Sequence, residues 1–407
     1  MQNPIASPET GGAPHKPVRL HYLDWLRVIA ILGVFLFHAV HAFDEGDWHI
    51  KNADQSTAIS VVLVLFSLWG MPLFFLIAGT SSWFALQRRT ARQYATERFK
   101  RLLIPFIVGS MLFMPVMLYF EWMHKTATGA LNGSFLDFVI DRNVGFSPRW
   151  FGSLGYHLWF LGFLFSFALL TIPLFMWLKG PSGQRFTSWM AQQCEHRGRI
   201  LLFVIPIVVI QLSLRPFFPI EHDWADFFFL MSFFVLGYVL FADERFARAI
   251  RRDWWIILIA AIVALALILI MLGVGDPFDW AEEPSTPEFY LVWSVVAVAA
   301  FCWTAFALFI GMRSLDFTNA WLRYGQEAVL PFFVVHQPVI IVIAYFVVQW
   351  NTGIPPKLLT VVAGSLVLSL ALYEFIIRRI GPLRAIVGMT PERKHEAQAP
   401  LSEIGNG

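Results

Sequence analysis

The chain has 407 residues, of which 57% are hydrophobic and 14% charged, with a mean hydropathy of +0.61 and a formal net charge of +2. Such a composition excludes an ordinary water-soluble domain, so a membrane protein is expected, with the lipid bilayer as its solvent and no nucleic-acid partner. The two cysteines, Cys194 in a basic loop and Cys302 in a hydrophobic run, provide neither a disulfide framework nor a zinc cluster, and no metal is expected.

Residues 1–20 are polar and rich in Pro and Gly, with His15, Lys16 and Arg19 close to the first apolar run, and read as a flexible tail before an uncleaved helix. Apolar runs near the ~20-residue length that a bilayer requires then fall at about 23–43, 58–82, 102–122, 157–178, 199–214, 225–241, 253–274, 289–312, 328–348 and 357–377. The fifth is the shortest and contains Pro206. The expected fold is all-α, a polytopic bundle of about ten transmembrane helices in one domain over 21–385, followed by a second flexible tail over 386–407.

Lys and Arg set the orientation. The loops on one side, including both tails, carry 23 of the 30 basic residues; those on the other side carry 6, and Arg27 lies inside a span. Both termini are therefore expected in the cytoplasm, and the acidic stretch "GDPFDWAEEPSTPEF" and the long 123–156 loop outside.

The first span, "LDWLRVIAILGVFLFHAVHAF", holds Arg27 and His38, although ionisable residues in a bilayer are costly and mark function by default. Eleven helical steps leave them about 20° apart around the axis and about 16 Å apart along it. Span direction puts His38, His41 and His157 at the outer level, His336 near mid-membrane, and Arg27, Asp24 and Glu374 at the inner level. Structural roles compete with functional ones. Arg27 can snorkel or pair with Asp24 or Glu374, His41 reads as interfacial, and His336 precedes Gln337 and Pro338, where a broken helix would free backbone groups. The segment "LQRRTARQYATERFKRLLIP" brings Arg88, Arg89, Arg92, Arg98, Lys100 and Arg101 together, either as an anchor at the membrane face or as a phosphate site. No Gly-rich nucleotide loop accompanies it, which disfavours an ATP-driven pump. Trp48, Trp150, Trp224 and Trp280 read mainly as belt residues, with sugar stacking as the alternative.

The Arg-x10-His first span, followed by "MPLFFLIAGTSSWF", "RFKRLLIP", "HLWFLGFLFSF", "FFVVHQPV" and "ALYEFIIRRIGPLR", resembles integral-membrane acyltransferase family three over about residues 20–385. The last motifs are most like its glucan-succinylating branch. The resemblance implies Arg27 and His38 as a functional pair, with His157 and His336 in the family's later histidine motifs. It implies an O-acyltransferase that uses acyl-CoA, succinyl-CoA or acetyl-CoA, as donor and a glycan or lipid-linked sugar as acceptor, in a bacterial inner membrane. Two positions depart from the pattern: Leu161, Gly162 and Phe163 stand where sugar O-acetylating members carry a glutamate, and Ala78-Gly79 replaces Ser-Gly.

Moving an acyl group from thioester to hydroxyl calls for a base or nucleophilic relay and a cation for the donor's phosphates. His38, His157 and His336 are the expected catalytic set, and Arg27, Arg88, Arg89, Arg98 and Arg101 the expected donor-binding set. The rival expectation is a transporter that uses Arg27, His38, His336 and Glu374 as a substrate and proton path, although no internal repeat supports it.

Overall fold

The computed structural model describes residues 20–125, 156–274, 280–281, 283–284 and 286–389. Arg142, Arg149, Trp150, most of the long loop, Asp276, Asp279, Glu282 and, of the two expected tails, residues 1–19 and 390–407 lie outside the described residues.

All the regular secondary structure among the described residues is helical. Helix α1 spans His21–Val40, α2 Thr57–Ser67, α3 Gly70–Arg88 and α4 Ala91–Arg98; a π-turn at Phe99–Leu103 leads into α5, Ile104–Lys125. A 3-10 turn at Tyr156–Leu158 opens α6, Trp159–Leu170, followed by α7, Ile172–Lys179, and α8, Pro181–Gln193. Then come α9, Val204–Leu214, α10, Trp224–Ala242, α11, Glu244–Arg252, α12, Trp254–Val274, α13, Pro287–Ser314, α14, Ala320–Val347, α15, Ile354–Leu372 with a π-turn at Tyr373–Ile377, and α16, Gly381–Ile386.

Eight helical runs among the described residues are long and apolar enough to cross a membrane, and the α6–α7 pair, bent by 47°, makes a ninth. The fifth expected span, Arg199–Leu214, is apolar but shorter than these. Ile259, Ile262, Val263 and Ile270 of α12 and Leu359 and Val367 of α15 are exposed, as befits helices that turn an apolar face to lipid. The chain is a multi-pass helical bundle of the expected class. Its helices also run past the apolar runs: α3 reaches Arg88, and the third span starts at Ala91, where the Thr90 side chain caps the helix and Gln93 returns the bond to the Thr90 backbone.

Close backbone packing fixes the frame. A methyl group on Gly79 of α3 would lie 1.8 Å from the Phe234 carbonyl oxygen of α10, and one on Gly237 would lie 2.0 Å from that of Leu76. The two helices thus touch main chain to main chain, as small residues permit inside membranes. Thr80 adds a bond from its hydroxyl to the Gly237 carbonyl, 3.3 Å. Gly79 is accounted for by this contact. Beside it, Phe75 is enclosed by Phe160 and Phe167, with ring centroids 4.8 and 5.0 Å away.

Helix α14 corrects one expectation. It does not break at Gln337-Pro338 but runs through both Pro331 and Pro338. A proline removes one N–H and leaves the carbonyl four residues earlier without its helical donor, and a neighbouring group can then satisfy that oxygen.

Candidate active site

Three histidines from three helical segments meet in the bundle. His38, two residues before the end of α1, lies 5.4 Å from His336 of α14 between ring centroids, and His157, in the turn before α6, lies 5.7 Å from His336 edge-on. Phe332 stacks on His336 at 5.9 Å, and Phe35 approaches the same imidazole at 6.5 Å, so the pocket wall is aromatic. The set spaced along the sequence at 38, 157 and 336 is therefore one cluster.

Main-chain oxygens define the protons. His336 Nδ1 lies 2.7 Å from the Phe333 carbonyl, and His157 Nε2 lies 3.1 Å from the Val334 carbonyl. A carbonyl can only accept, so each of these nitrogens carries the hydrogen, and in the neutral ring the other nitrogen is an acceptor. Those other nitrogens, His336 Nε2 and His157 Nδ1, are buried without a hydrogen-bond partner among the described residues, and so is His38 Nδ1. Val334 precedes Pro338 by four residues, so the carbonyl that His157 uses is the one freed by the proline. Three imidazoles thus bring unpartnered nitrogens to one place, two of them lone pairs that call for donors. Among the described residues no group of three or more His, Cys, Asp and Glu is arranged to hold a metal ion.

Arg27 lies toward the opposite end of α1. Its guanidinium donates to the Ser81 hydroxyl of α3 at 2.8 Å and pairs with Asp24 at 3.4 Å. Ser81 in turn donates to the Ile77 carbonyl, 2.9 Å, which leaves its oxygen as an acceptor for the guanidinium. Glu374 is engaged by Arg378 at 2.9 Å and by the Tyr324 hydroxyl at 3.4 Å.

The basic segment is internally paired. Arg89 and Arg101 converge on Glu97, at 2.7 and 3.3 Å, and Arg98 lies over the Tyr94 ring, 4.8 Å from its centroid. Arg88 is exposed. The π-turn that carries Lys100 and Arg101 directly follows, a feature frequent at functional sites. Half-exposed ion pairs such as Arg101–Glu97 contribute little and exchange readily.

At the histidine end the structure adds a polar network that the sequence reading passed over. Asp44 binds the His41 imidazole at 2.7 Å and the Lys51 ammonium at 2.5 Å. His49 pairs with Glu121 at 2.6 Å, Lys125 with Glu121 at 3.0 Å, and the Lys51 N–H donates to His124 at 3.0 Å. Buried Lys357 donates to Asn52 and to the Val348 carbonyl, both at 2.9 Å. His41, Asp44 and Lys51 carry a local signal, since His41 and Asp44 are three apart, whereas the 49–121 and 52–357 partnerships have none. Trp48 is buried, stacked on His41 at 5.6 Å, so its face is not open to a sugar, while Trp224 is exposed.

A bundle with a buried histidine cluster at one end and an anchored arginine toward the other fits a membrane enzyme that works between helices. The chain matches the family described as Acyltransferase domain over residues 20–374 and belongs to that acyltransferase 3 family, which makes it an O-acyltransferase. It is similar to proteins named "Glucans biosynthesis protein C" from Salmonella heidelberg (strain SL476) and Salmonella gallinarum (strain 287/91 / NCTC 13346), at 23% identity over 94% of this chain and 98% of each relative. No solved structure matches. The transporter expectation gives way to the family assignment.

Proposed function

We propose that the chain moves an acyl group, succinyl or acetyl, from cytoplasmic acyl-CoA to a hydroxyl of a glycan on the far side of a bacterial inner membrane. The name of the relatives favours a glucan as acceptor. The thioester C–S bond breaks, the C–O ester bond forms, and the proton leaving the acceptor hydroxyl ends on the CoA sulfur. His38 acts as the base for that hydroxyl or as the acyl relay, a role typically contributing about 10² to 10⁴-fold when it is general base. His157 and His336 accept hydrogen bonds from the substrates, and Arg27, held by Ser81 and Asp24, binds the donor's phosphates with Arg88, Arg89, Arg98 and Arg101 as its approach.

The observation that carries this reading is the set of three unpartnered imidazole nitrogens at one point of the bundle. Buried acceptors without donors are costly, and hydroxyl and amide N–H groups of the substrates supply what they lack. An extended pantetheine arm bridges the roughly 16 Å rise between Arg27 and His38. Both termini and the basic loops belong on the cytoplasmic side in this reading. The test is mass spectrometry of cell-envelope glycans with and without the gene: loss of an ester-linked acyl group supports the reading, and an unchanged glycan profile removes it.

A further inference from the structure

Two non-glycine residues among those described have left-handed backbone, Tyr156 at φ 57° and His222 at φ 65°. Histidine tolerates that region better than most residues, but for tyrosine it is rare, and such strain persists only where surrounding contacts over-determine it. Both residues bear on the same three-residue turn. Tyr156 immediately precedes His157, and the His222 ring packs tilted against Trp159, two residues after it, with centroids 4.1 Å apart.

Each is held from outside the turn. The Tyr156 ring stacks on His49 at 5.1 Å, and His49 is anchored by Glu121 of α5 at 2.6 Å. The His222 N–H donates to Asp226 at 2.8 Å, and Asp226 is paired with Arg215, whose guanidinium lies over the Trp293 ring at 4.0 Å. The turn is therefore gripped by the 41–56 loop and α5 on one side and by the α9–α10 connection on the other. Between the two grips lies His157.

We propose that Tyr156 and His222 are positioning residues that hold the His157 imidazole in register with His336 and His38. The proposal rests on the acyltransferase reading of the histidine cluster. The grip through Tyr156 is its ring against His49 together with its hydroxyl against Glu121, so Tyr156→Phe keeps one of the two holds and Tyr156→Leu keeps neither. Misplacement of a reacting group by about 1 Å is enough to cost on the order of 100-fold in rate.

The experiment is steady-state acyl transfer from succinyl-CoA to a soluble β-glucan by the purified full chain in detergent, with His157→Ala assayed alongside. Tyr156→Leu and His222→Ala should each lower kcat about ten- to hundred-fold with the KM for succinyl-CoA unchanged, while Tyr156→Phe, which keeps the ring and loses the bond to Glu121, falls between Tyr156→Leu and wild type. His49→Ala, which removes the ring partner alone, should be slower than wild type, and adding it to Tyr156→Leu should slow that variant no further. A Tyr156→Leu enzyme with wild-type kcat, or one whose loss lies in the KM for succinyl-CoA and not in kcat, overturns the proposal while an inactive His157→Ala leaves the site reading standing. A fully active His157→Ala removes both.

Discussion

His157 donates its Nε2 proton to the Val334 carbonyl, the oxygen that Pro338 deprives of its helical donor. The relationship ties a proline in one span to the tautomer of a histidine in another, since the bond to the carbonyl leaves His157 Nδ1 as an acceptor. Pro338→Ala would restore an N–H four residues beyond Val334 and make it a competitor for that oxygen. The variant should be at least as stable as wild type yet slower, with kcat reduced several-fold and the donor KM unchanged. Transfer kinetics together with a thermal midpoint check this, and an unchanged kcat would separate the proline from the site.

His38→Ala should abolish transfer while leaving the chain inserted, because removing an imidazole makes α1 more apolar. Wild-type levels of acylated product from the purified variant would take His38 out of the chemistry.

Arg27→Lys keeps the charge and loses the fork, so binding of acyl-CoA should weaken about ten-fold or more. Ser81→Ala removes the hydroxyl that orients the guanidinium and should weaken binding less, by a few-fold, in keeping with a contact of roughly 1 kcal/mol. Calorimetry with acyl-CoA measures both, with Arg98→Lys as the control in the basic segment. Equal affinity for wild type and Arg27→Lys would count against Arg27 as a phosphate ligand.

Gly79→Ala and Gly237→Ala each drive a methyl group into a carbonyl of the facing helix and should destabilise by about 3 kcal/mol or more, at the upper end for overpacking. Gly162→Ala is the control, its added methyl meeting the Phe106 ring at an ordinary 3.4 Å. Thermal unfolding in detergent should drop for the first two and hold for the third.

In sealed proteoliposomes of known orientation, acyl-CoA supplied on the side of the 89–101 segment should label glycan supplied only on the opposite side. The geometric basis is the separation of Arg27 and His38 along α1. Labelling that required both substrates on one side would defeat transfer through the bundle and leave a single-sided site.

The sequence made the helices legible because a bilayer demands long apolar runs, and it made the His38, His157 and His336 set legible because ionisable residues inside such runs are rare. It mistook Pro338 for a break. A proline removes one hydrogen bond, and whether the helix then parts depends on what lies beside the freed oxygen, here a residue 177 positions away. Glu121, His49 and Lys357 were passed over for a related reason: each sits near a span end, where polar residues are ordinary, and only tertiary contact reveals its partner. Ser81 was visible in "MPLFFLIAGTSSWF" but had nothing to distinguish it from Ser82, which instead accepts from the Tyr94 hydroxyl.

Main-chain contact between α3 and α10 has no compressible side chain to yield, so those two spans behave as a single stiff beam. Whatever breathing admits a thioester from one side and a sugar from the other must be done elsewhere, by the seams that α1 and α14 make with their neighbours. A cross-link joining α3 to α10 would then leave turnover untouched, whereas one joining α1 to α14 would arrest it.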